Sequence, residues 1–458
     1  MRIFVILTLN LLLAIPPVLA NKQTTVKTID DTVLITQVNI IDVANDAVQT
    51  NQFVLIKGDK IQQILSEKPS VSADTKLIDG KGKYLMAGLI DMHVHVFQPA
   101  DLYQLMTHSV TTARVMYGWP HTLQYRADIK QGTLVGPDLI VSSPAINQES
   151  PYASSNLHSF VDSAQEASNL VKKYAKQGYD LIKVYDGLRP EIFSALAKTA
   201  QENEMPIAGH PSFYLSIDYY VAAQPQTIEH IEMLYQAALD YSTDNASLVK
   251  LAKKLASYQI PVTTILVAYD NVARLAVEKH QFIDDLPTNY IHPMWKKLEQ
   301  DSINFITTVD KPQEWRSKAD YLGYMAKVLN DNNVPLVLGS DGGSGHNING
   351  KSTIDEMELL VHYGLPANDV LRSATITPAK VLGLGQEIGT VAPGYTANLI
   401  LLNSDPRNDF SVLRKPLVVI KSGRLFEQAA LAELDHQAQQ HMSSMDTAWY
   451  LLKAFTER

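Results

Sequence analysis

From Leu85 onward, short apolar segments alternate with amphipathic stretches of helical length, and this alternation limits the folds open to the chain more than any other feature. Such an order predicts parallel βα units, with helices packed against the sheet. Eight segments have the composition of these strands: residues 89–96, 110–116, 138–146, 180–185, 206–210, 226–231, 260–267 and 334–341. Eight units over roughly 300 residues predict an α/β fold with a closed (β/α)8 barrel of the TIM type.

Strand patterns without intervening helices occupy both ends of the chain. Residues 32–66 and 389–420 contain short apolar runs separated by turns, as antiparallel sheets do. We expect the two regions to form one small β-sandwich domain into which the barrel is inserted. The predicted boundaries are residues 1–20 for a signal peptide, 21–85 and 388–458 for the two parts of the β-sandwich domain, and 86–387 for the barrel. The second part is expected to end in a helix.

The first twenty residues have the pattern of a secretory signal peptide. Arg2 precedes an apolar run over residues 3–13, and residues 18–20 are small or apolar, as a cleavage site requires. The alternative is an uncleaved amino-terminal anchor. The pattern predicts an exported protein, periplasmic or secreted, without stable membrane association once the signal is removed.

Composition excludes several classes of function and of metal site. The net charge of −9 and the lack of a basic stripe offer no surface for nucleic acid. Cys is absent, which excludes disulfides, thiol nucleophiles and zinc held by thiolates. Any metal must therefore be held by His, carboxylate or modified Lys. The predicted partner is a small-molecule substrate, and the sequence leaves self-association into a homo-oligomer open.

Residues suited to metal binding recur in the strands of the predicted barrel. His93 and His95 share a strand, on which alternating side chains place both imidazoles on one face. Alone, the pair is equally compatible with two polar residues on a half-exposed strand. Lys183 interrupts an apolar strand, and a buried ammonium needs an acidic partner or a modification. Reaction with CO₂ would turn its amine into a carbamate, whose oxygens can bridge two cations.

Three further side chains follow predicted strands, namely His210, His230 and Asp341. The carboxyl ends of the strands form the functional rim of a barrel. Singly, each His is compatible with an ordinary hydrogen-bonded residue, and Asp341 with a turn or a helix cap. Together with the strand residues they supply the ligand types for two divalent cations, with Zn²⁺ favoured. A bridging water would then lose its proton near neutral pH to give the hydroxide nucleophile, and Asp341 could pass a proton to the leaving group.

At these residues the sequence resembles the metal-dependent amidohydrolase superfamily, in the imidazolonepropionase-like and prolidase-like branch with a carboxylated lysine. The resemblance extends to residues 79–82, 88–91, 111–114 and 389–394. It implies two metal sites bridged by the carbamate of Lys183. One site would consist of His93, His95 and Asp341, and the other of His210 and His230. The sequence departs from the family at Ala87, Asn398 and Asn349, where Pro, Asp and His are usual.

Substrate contacts are expected in loops that are rich in aromatic residues. The candidate substrate-binding side chains are Tyr117, Tyr185, Tyr235 and His346, and Arg114 is a further candidate for holding a substrate carboxylate.

The predicted function is hydrolysis of a C–N (amide) bond in a small molecule such as a dipeptide, an N-acyl amino acid or a cyclic amide. Two alternatives stay open at this point. The same site would also suit an ester, a lactone or a phosphotriester. A non-catalytic relative that only binds metal or a partner is the other alternative, although it would have no reason to keep Lys183 and Asp341 beside four His.

Overall fold

A computed structural model describes residues 32–149 and 158–443. The predicted signal peptide, residues 150–157 of one aromatic-rich loop and residues 444–458 lie outside the described residues. Within the described part of the chain, no helix is both long enough and apolar enough to cross a membrane.

Strands from both ends of the chain share one eight-stranded sheet. Its strands are β1 (Thr32–Asp42), β2 (Ala47–Lys57), β3 (Lys60–Leu65), β4 (Lys76–Asp79), β5 (Tyr84–Ala87), β16 (Leu399–Leu402), β17 (Val418–Lys421) and β18 (Arg424–Glu427). The order is β18-β17-β16-β5-β1-β2-β3, with β4 beside β1. The ends meet where β16 runs antiparallel to β5, with Leu399 opposite Ala87. The sandwich form and the domain boundaries stay predictions.

The middle of the chain forms parallel sheets, as the βα alternation predicted. A three-stranded sheet contains β6 (Leu89–Val94), β7 (Val110–Val115) and β8 (Asp138–Val141). A seven-stranded sheet has the order β10-β9-β11-β12-β13-β14-β15. Its strands are β9 (Ile146–Asn147), β10 (Ser159–Phe160), β11 (Ile182–Val184), β12 (Ile207–Gly209), β13 (Thr227–Glu229), β14 (Val262–Thr263) and β15 (Leu336–Val337). Every predicted segment contains a strand, although segment 138–146 divides between β8 and β9.

Backbone hydrogen bonds join both edges of the three-stranded sheet to the seven-stranded sheet. At one edge the Met92 amide donates to the Leu338 carbonyl at 2.8 Å, and the His95 amide donates to Gly342 at 2.7 Å. At the other edge, Ser143 donates to Leu181 at 2.8 Å. The first edge matters for function, because it places the segment after β15 beside the strand that carries His93.

Helices connect the parallel strands or follow the last of them, and most bury apolar side chains in one large core. They are α1 (Pro99–Thr107), α2 (Pro120–Gln131), α3 (Ala164–Gln177), α4 (Pro190–Glu202), α5 (Ile217–Ala222), α6 (Ile231–Met233), α7 (Asn245–Tyr258), α8 (Leu266–Glu278), α9 (His280–Asp285), α10 (Pro293–Leu298), α11 (Gln300–Thr307), α12 (Pro312–Asp331), α13 (Lys351–His362), α14 (Ala367–Ser373), α15 (Ile376–Val381) and, near the carboxyl terminus, α16 (Gln428–Ala438). Helix α3 illustrates the local causes. The Ser163 hydroxyl accepts from the Glu166 amide at 3.2 Å, Gly178 ends the helix with φ +85, and Val171 and Tyr174 are buried in the core.

Gly209, the last residue of β12, permits the close approach of β12 to β11. Its φ is +148, and a Cβ there would lie 2.0 Å from the Val184 carbonyl oxygen. We therefore expect Gly209→Ala to destabilise the fold by about 3 kcal/mol, from backbone strain and a clash that β11 cannot relieve. Thermal unfolding measures the loss. Gly82→Ala is the matched control, because Gly82 has φ +72 but no atom within 4 Å of the added carbon. Equal losses in the two variants would contradict this account of the strand contact.

Candidate metal centre

The six predicted ligands all lie within, or shortly after, strands of the parallel sheets. His93 is in β6 and His95 directly follows that strand, while Lys183 is the middle residue of β11. His210 and His230 are the residues after β12 and β13, and Asp341 follows β15 by a short segment. Because parallel strands end at one edge of a sheet, these side chains meet although the chain separates them by up to about 250 residues.

The imidazoles and the carboxylate form one contiguous cluster. The Asp341 Oδ1 lies 2.8 Å from His95 Nε2 and 3.5 Å from His93 Nε2. The His93 and His230 rings are 4.9 Å apart between centroids, and the His230 and His210 rings are 4.8 Å apart. One ligand atom from each of His93, His230 and Asp341 lies within 4.8 Å of the others. This spacing suits ligands that surround one metal centre.

Three buried imidazole nitrogens of the cluster have no hydrogen-bond partner among the described residues. They are His93 Nε2, His210 Nδ1 and His230 Nδ1. Burial lowers the pKa of His210 to about 3, assisted by the charge of Lys183, and lowers the pKa of His230 to about 4. Both rings are therefore neutral near pH 7. Buried polar atoms normally have partners, so three unpartnered imidazole nitrogens within one cluster fit a metal site.

The Asp341 carboxylate is held in its charged form. Burial alone would raise its pKa, but the hydrogen bond with His95 and the neighbouring imidazoles keep the pKa below the usual range. The backbone at Asp341 has φ +51, and that at His230 has φ +64. Residues other than Gly rarely adopt this left-handed backbone conformation, and those that do are often found at functional sites. Two of the six cluster residues therefore sit on strained backbone.

Lys183 is buried and forms no ion pair with an acidic residue in the part of the chain that the structure describes. Only 2% of the surface of Lys183 is exposed to solvent. The Nζ lies 5.5 Å from the centre of the Tyr117 ring and 5.8 Å from that of Tyr185. Burial lowers the pKa of the amine to about 8. The acidic partner that was the alternative from the sequence is not found in residues 32–149 and 158–443.

The structure brings two of the four predicted substrate-binding residues to the cluster. The Tyr185 ring stacks on His210 at 4.1 Å, and the Tyr117 ring lies 6.2 Å from that of His95. Tyr235 instead packs against two other tyrosines, at 5.4 and 5.5 Å. His346 contacts the Phe282 ring at 6.0 Å and lies 3.9 Å from Glu299. The contacts of Tyr235 and His346 are thus away from the cluster.

Comparison with known proteins agrees with this geometry. Residues 84–426, which are more than half of the chain, match the model of the amidohydrolase family. The chain belongs to this family. It is an enzyme of the metal-dependent amidohydrolase class, which acts on C–N bonds, as the sequence predicted, and the non-catalytic alternative is set aside.

Individual amidohydrolases resemble the chain over most of its length. A 5'-deoxyadenosine deaminase of Methanobrevibacter smithii is 23% identical over 399 residues, 83% of this chain and 86% of that protein. A 5-methylthioadenosine/S-adenosylhomocysteine deaminase of Acetivibrio thermocellus is 24% identical over 388 residues, 79% of this chain and 83% of that protein.

Solved structures of amidohydrolases share the fold. A Xaa-Pro dipeptidase with bound methionine has a TM-score of 0.67 at 21% identity, covering 87% of this chain and 100% of that one. A bottromycin amidohydrolase has a TM-score of 0.74 at 22% identity, covering 89% and 90%. These structures show that the chain shares the amidohydrolase fold, and placement in the prolidase-like branch stays a prediction.

Arg114 does not bind substrate, so that interpretation of the sequence is wrong. The residue is fully buried. Its Nε donates to the Met92 carbonyl at 2.7 Å, and its Nη1 donates to Thr227 Oγ1 at 2.9 Å. Its Nη2 donates to Glu229 Oε1 at 2.6 Å. Every nitrogen of the guanidinium is occupied by protein acceptors, and no substrate can reach it.

Two buried carboxylates beside the cluster were missed from the sequence. Glu229 Oε2 lies 2.7 Å from His93 Nδ1. Asp91 accepts from the backbone amides of His93 and Ser340 at 3.1 and 3.2 Å and from the Thr353 hydroxyl at 2.7 Å, and burial raises its pKa to about 6. The available signal was a charged residue inside an apolar strand, because such residues need partners when buried.

Asn349, where related sequences carry His, contacts the backbone of a cluster residue. Its Nδ2 donates to the His95 carbonyl at 3.1 Å. The side chain therefore connects the loop after Asp341 to the strand that carries His95.

A separate cavity of about 770 Å³ lies at α1, α13 and α16. A well-formed pocket is the usual place to look for a site. None of the six cluster residues lines this cavity, however, and its walls include Gln104, His108, Tyr290, Lys351, Arg414 and Leu431. The unpartnered imidazole nitrogens of the cluster, and not the volume of a cavity, identify the candidate metal centre.

Proposed function

We propose that the chain is a binuclear metal-dependent hydrolase that cleaves the C–N (amide) bond of a small molecule such as a dipeptide, an N-acyl amino acid or a cyclic amide. The observation that carries the proposal is Lys183, a buried amine without an acidic partner in the described chain. It lies beside Tyr117 and Tyr185, whose rings adjoin those of His95 and His210 in the cluster.

Carbamate formation accounts for the environment of Lys183. The amine nitrogen bonds to the carbon of CO₂, and one proton leaves to solvent, so that an uncharged amine becomes an anion with two oxygens. The rings of Tyr117 and Tyr185 lie beside the amine. An unpaired ammonium is costly in such a place, whereas an anion bound by two cations is compensated.

In this proposal His93, His95 and Asp341 would hold one cation and His210 and His230 the other, and a carbamate on Lys183 would supply a ligand to each. When bound, two cations such as Zn²⁺ would polarise the scissile carbonyl and lower the pKa of a water between them.

The proton transfer is assigned to Asp341. Its Oδ2 accepts from the Ser344 hydroxyl at 2.7 Å, and its Oδ1 lies in the cluster, 2.8 Å from His95 Nε2. The bond from Ser344 orients the carboxylate, which can take a proton from the attacking water and deliver it to the departing nitrogen. In the balanced reaction a C–O bond forms, the C–N bond breaks, and the amine leaves with the transferred proton.

The architecture and the cell location of the enzyme are proposed with the function. The hydrogen bonds at both edges of the parallel sheets support a single (β/α)8 barrel, inserted in a β-sandwich built from both chain ends. Export through the predicted signal peptide would place the enzyme in the periplasm or the medium. The mass of the chain recovered from those fractions tests this, since removal of residues 1–20 is expected.

A second candidate function is deamination, because the two curated relatives described above are named deaminases of adenosine derivatives. In both reactions water attacks an sp² carbon and a nitrogen leaves. Hydrolysis of an ester, a lactone or a phosphotriester stays the third alternative.

A substrate panel separates these candidates. We expect measurable kcat/KM on dipeptides, N-acyl amino acids or cyclic amides, loss of that activity after removal of metal with a chelator, and recovery on adding Zn²⁺ with bicarbonate. Each amide is paired with the ester of the same acyl group, and adenosine derivatives and phosphotriesters complete the panel. Ester, phosphotriester or nucleoside turnover far above that of every amide would refute the amide assignment.

A further inference from the structure

Two fully buried charged residues lie behind His93, on the side away from Asp341. Arg114 extends from β7, and Glu229 is the last residue of β13. Both side chains are 0% exposed, and they are joined by the 2.6 Å hydrogen bond from Arg114 Nη2 to Glu229 Oε1. The hydroxyl of Thr227 also donates to Oε1. One carboxylate oxygen of Glu229 is therefore committed to these two donors.

The other oxygen of Glu229 determines which nitrogen of His93 carries hydrogen. Oε2 lies 2.7 Å from His93 Nδ1. A carboxylate only accepts hydrogen bonds, so Nδ1 must be the nitrogen that bears the hydrogen. The lone pair of the neutral ring is then on Nε2, which has no hydrogen-bond partner in the described chain and lies 3.5 Å from Asp341 Oδ1. The atom that faces the candidate metal centre is thus the one left free to bind a cation.

Arg114 anchors this arrangement to the backbone as well. Its Nε donates to the carbonyl of Met92, the residue before His93, at 2.7 Å. The guanidinium therefore holds both the carboxylate that orients the ring and the strand that carries it.

We propose that Glu229, held by Arg114, is a positioning residue that fixes the Nδ1–H tautomer and the orientation of His93 for metal binding. The metal part of this inference rests on the proposed function, whereas the tautomer belongs to the protein itself. Partners of this kind behind a metal-binding His typically raise metal affinity 10–100-fold.

Glu229→Gln tests the proposal because an amide has only one accepting oxygen. Arg114 and Thr227 both donate at the Oε1 position, so the amide oxygen is expected to stay with them. The NH₂ group then faces His93 Nδ1, which has to accept, and the hydrogen moves to Nε2. We expect ¹⁵N spectra of the metal-free protein to show this switch of tautomer, and Zn²⁺ affinity to fall about 10–100-fold.

Two matched variants control the experiment. Glu356→Gln alters another fully buried carboxyl group, which accepts from the Val267 amide at 2.7 Å and contacts no cluster His. In the Glu356→Gln protein, the tautomer of His93 and the Zn²⁺ affinity should be the same as in wild type. Glu229→Asp keeps two accepting oxygens, so the Nδ1–H tautomer should persist.

The wild-type spectrum decides the matter if the Gln variant does not fold. An Nε2–H tautomer of His93 in metal-free wild type overturns the proposal, as does a Gln variant with unchanged tautomer and affinity. If the tautomer switches but wild type binds no metal, the proposed function fails while the positioning of His93 by Glu229 stands.

Discussion

Replacing Asp341 by Asn should lower kcat on the amide substrate by about 10³-fold without unfolding the protein. The amide oxygen can still accept from His95, and Asn tolerates the φ of +51 at this position. The Asn side chain cannot take a proton from water, and this proton transfer is the step that we assign to Asp341. Steady-state kinetics together with circular dichroism measure the two parts of this prediction.

Asp240→Asn is the matched control for Asp341→Asn. Asp240 also has a positive φ, +47, but it is exposed at the surface. The control should retain wild-type kcat. An Asp341→Asn enzyme that keeps more than a tenth of the wild-type kcat would show that another group moves the proton.

Lys183→Ala should reduce kcat/KM by about 10³-fold, which corresponds to about 4 kcal/mol of lost transition-state stabilisation. The variant removes the proposed bridge and leaves space for a small anion. Millimolar propionate should therefore restore activity by more than tenfold, because its carboxylate can supply the two oxygens of the missing carbamate. Initial rates with and without propionate provide the measurement.

Lys421→Ala separates loss of a bridge from loss of a buried lysine. Lys421 is 5% exposed and donates to Asp138 at 2.7 Å, away from the cluster. The activity of the Lys421→Ala enzyme should not change when propionate is added. A Lys183→Ala enzyme with near wild-type activity, or with no response to any short carboxylate, would argue that Lys183 only fills the core.

The position of the cluster was predictable because strand ends obey simple geometry. Side-chain alternation in β6 places His93 and His95 on one face. The carboxyl ends of parallel strands converge, so residues that directly follow β12 and β13, and the residue shortly after β15, had to approach them. Neither argument needs side-chain packing, which explains why a single sequence was sufficient.

The partners of the cluster were not predictable for an equally physical reason. The bond between Arg114 and Glu229 joins β7 to β13 across 115 positions of sequence, and it depends on how side chains cross the interior between strands that are not neighbours in a sheet. Sequence spacing does not specify such contacts. Arg114 was therefore interpreted as a substrate ligand, although its donors are used inside the protein.

The sequence predicted the surroundings of loop residues less well than those of strand residues. Tyr235 lies in a π-helical turn, Leu234–Ala238, that follows α6, and this turn directs its ring toward Tyr241 and Tyr321. A π-helical turn is rare and has no reliable signature in sequence. Tyr117 and Tyr185 were closer to prediction because each directly follows or nearly follows a strand.

The most direct test of the central claim is the metal content per chain of protein produced with zinc and bicarbonate, compared between wild type and Lys183→Ala. The account predicts close to two equivalents of metal in wild type and a clear loss in the variant. Zero or one equivalent in wild type, unchanged by the substitution, would contradict a binuclear centre bridged by Lys183.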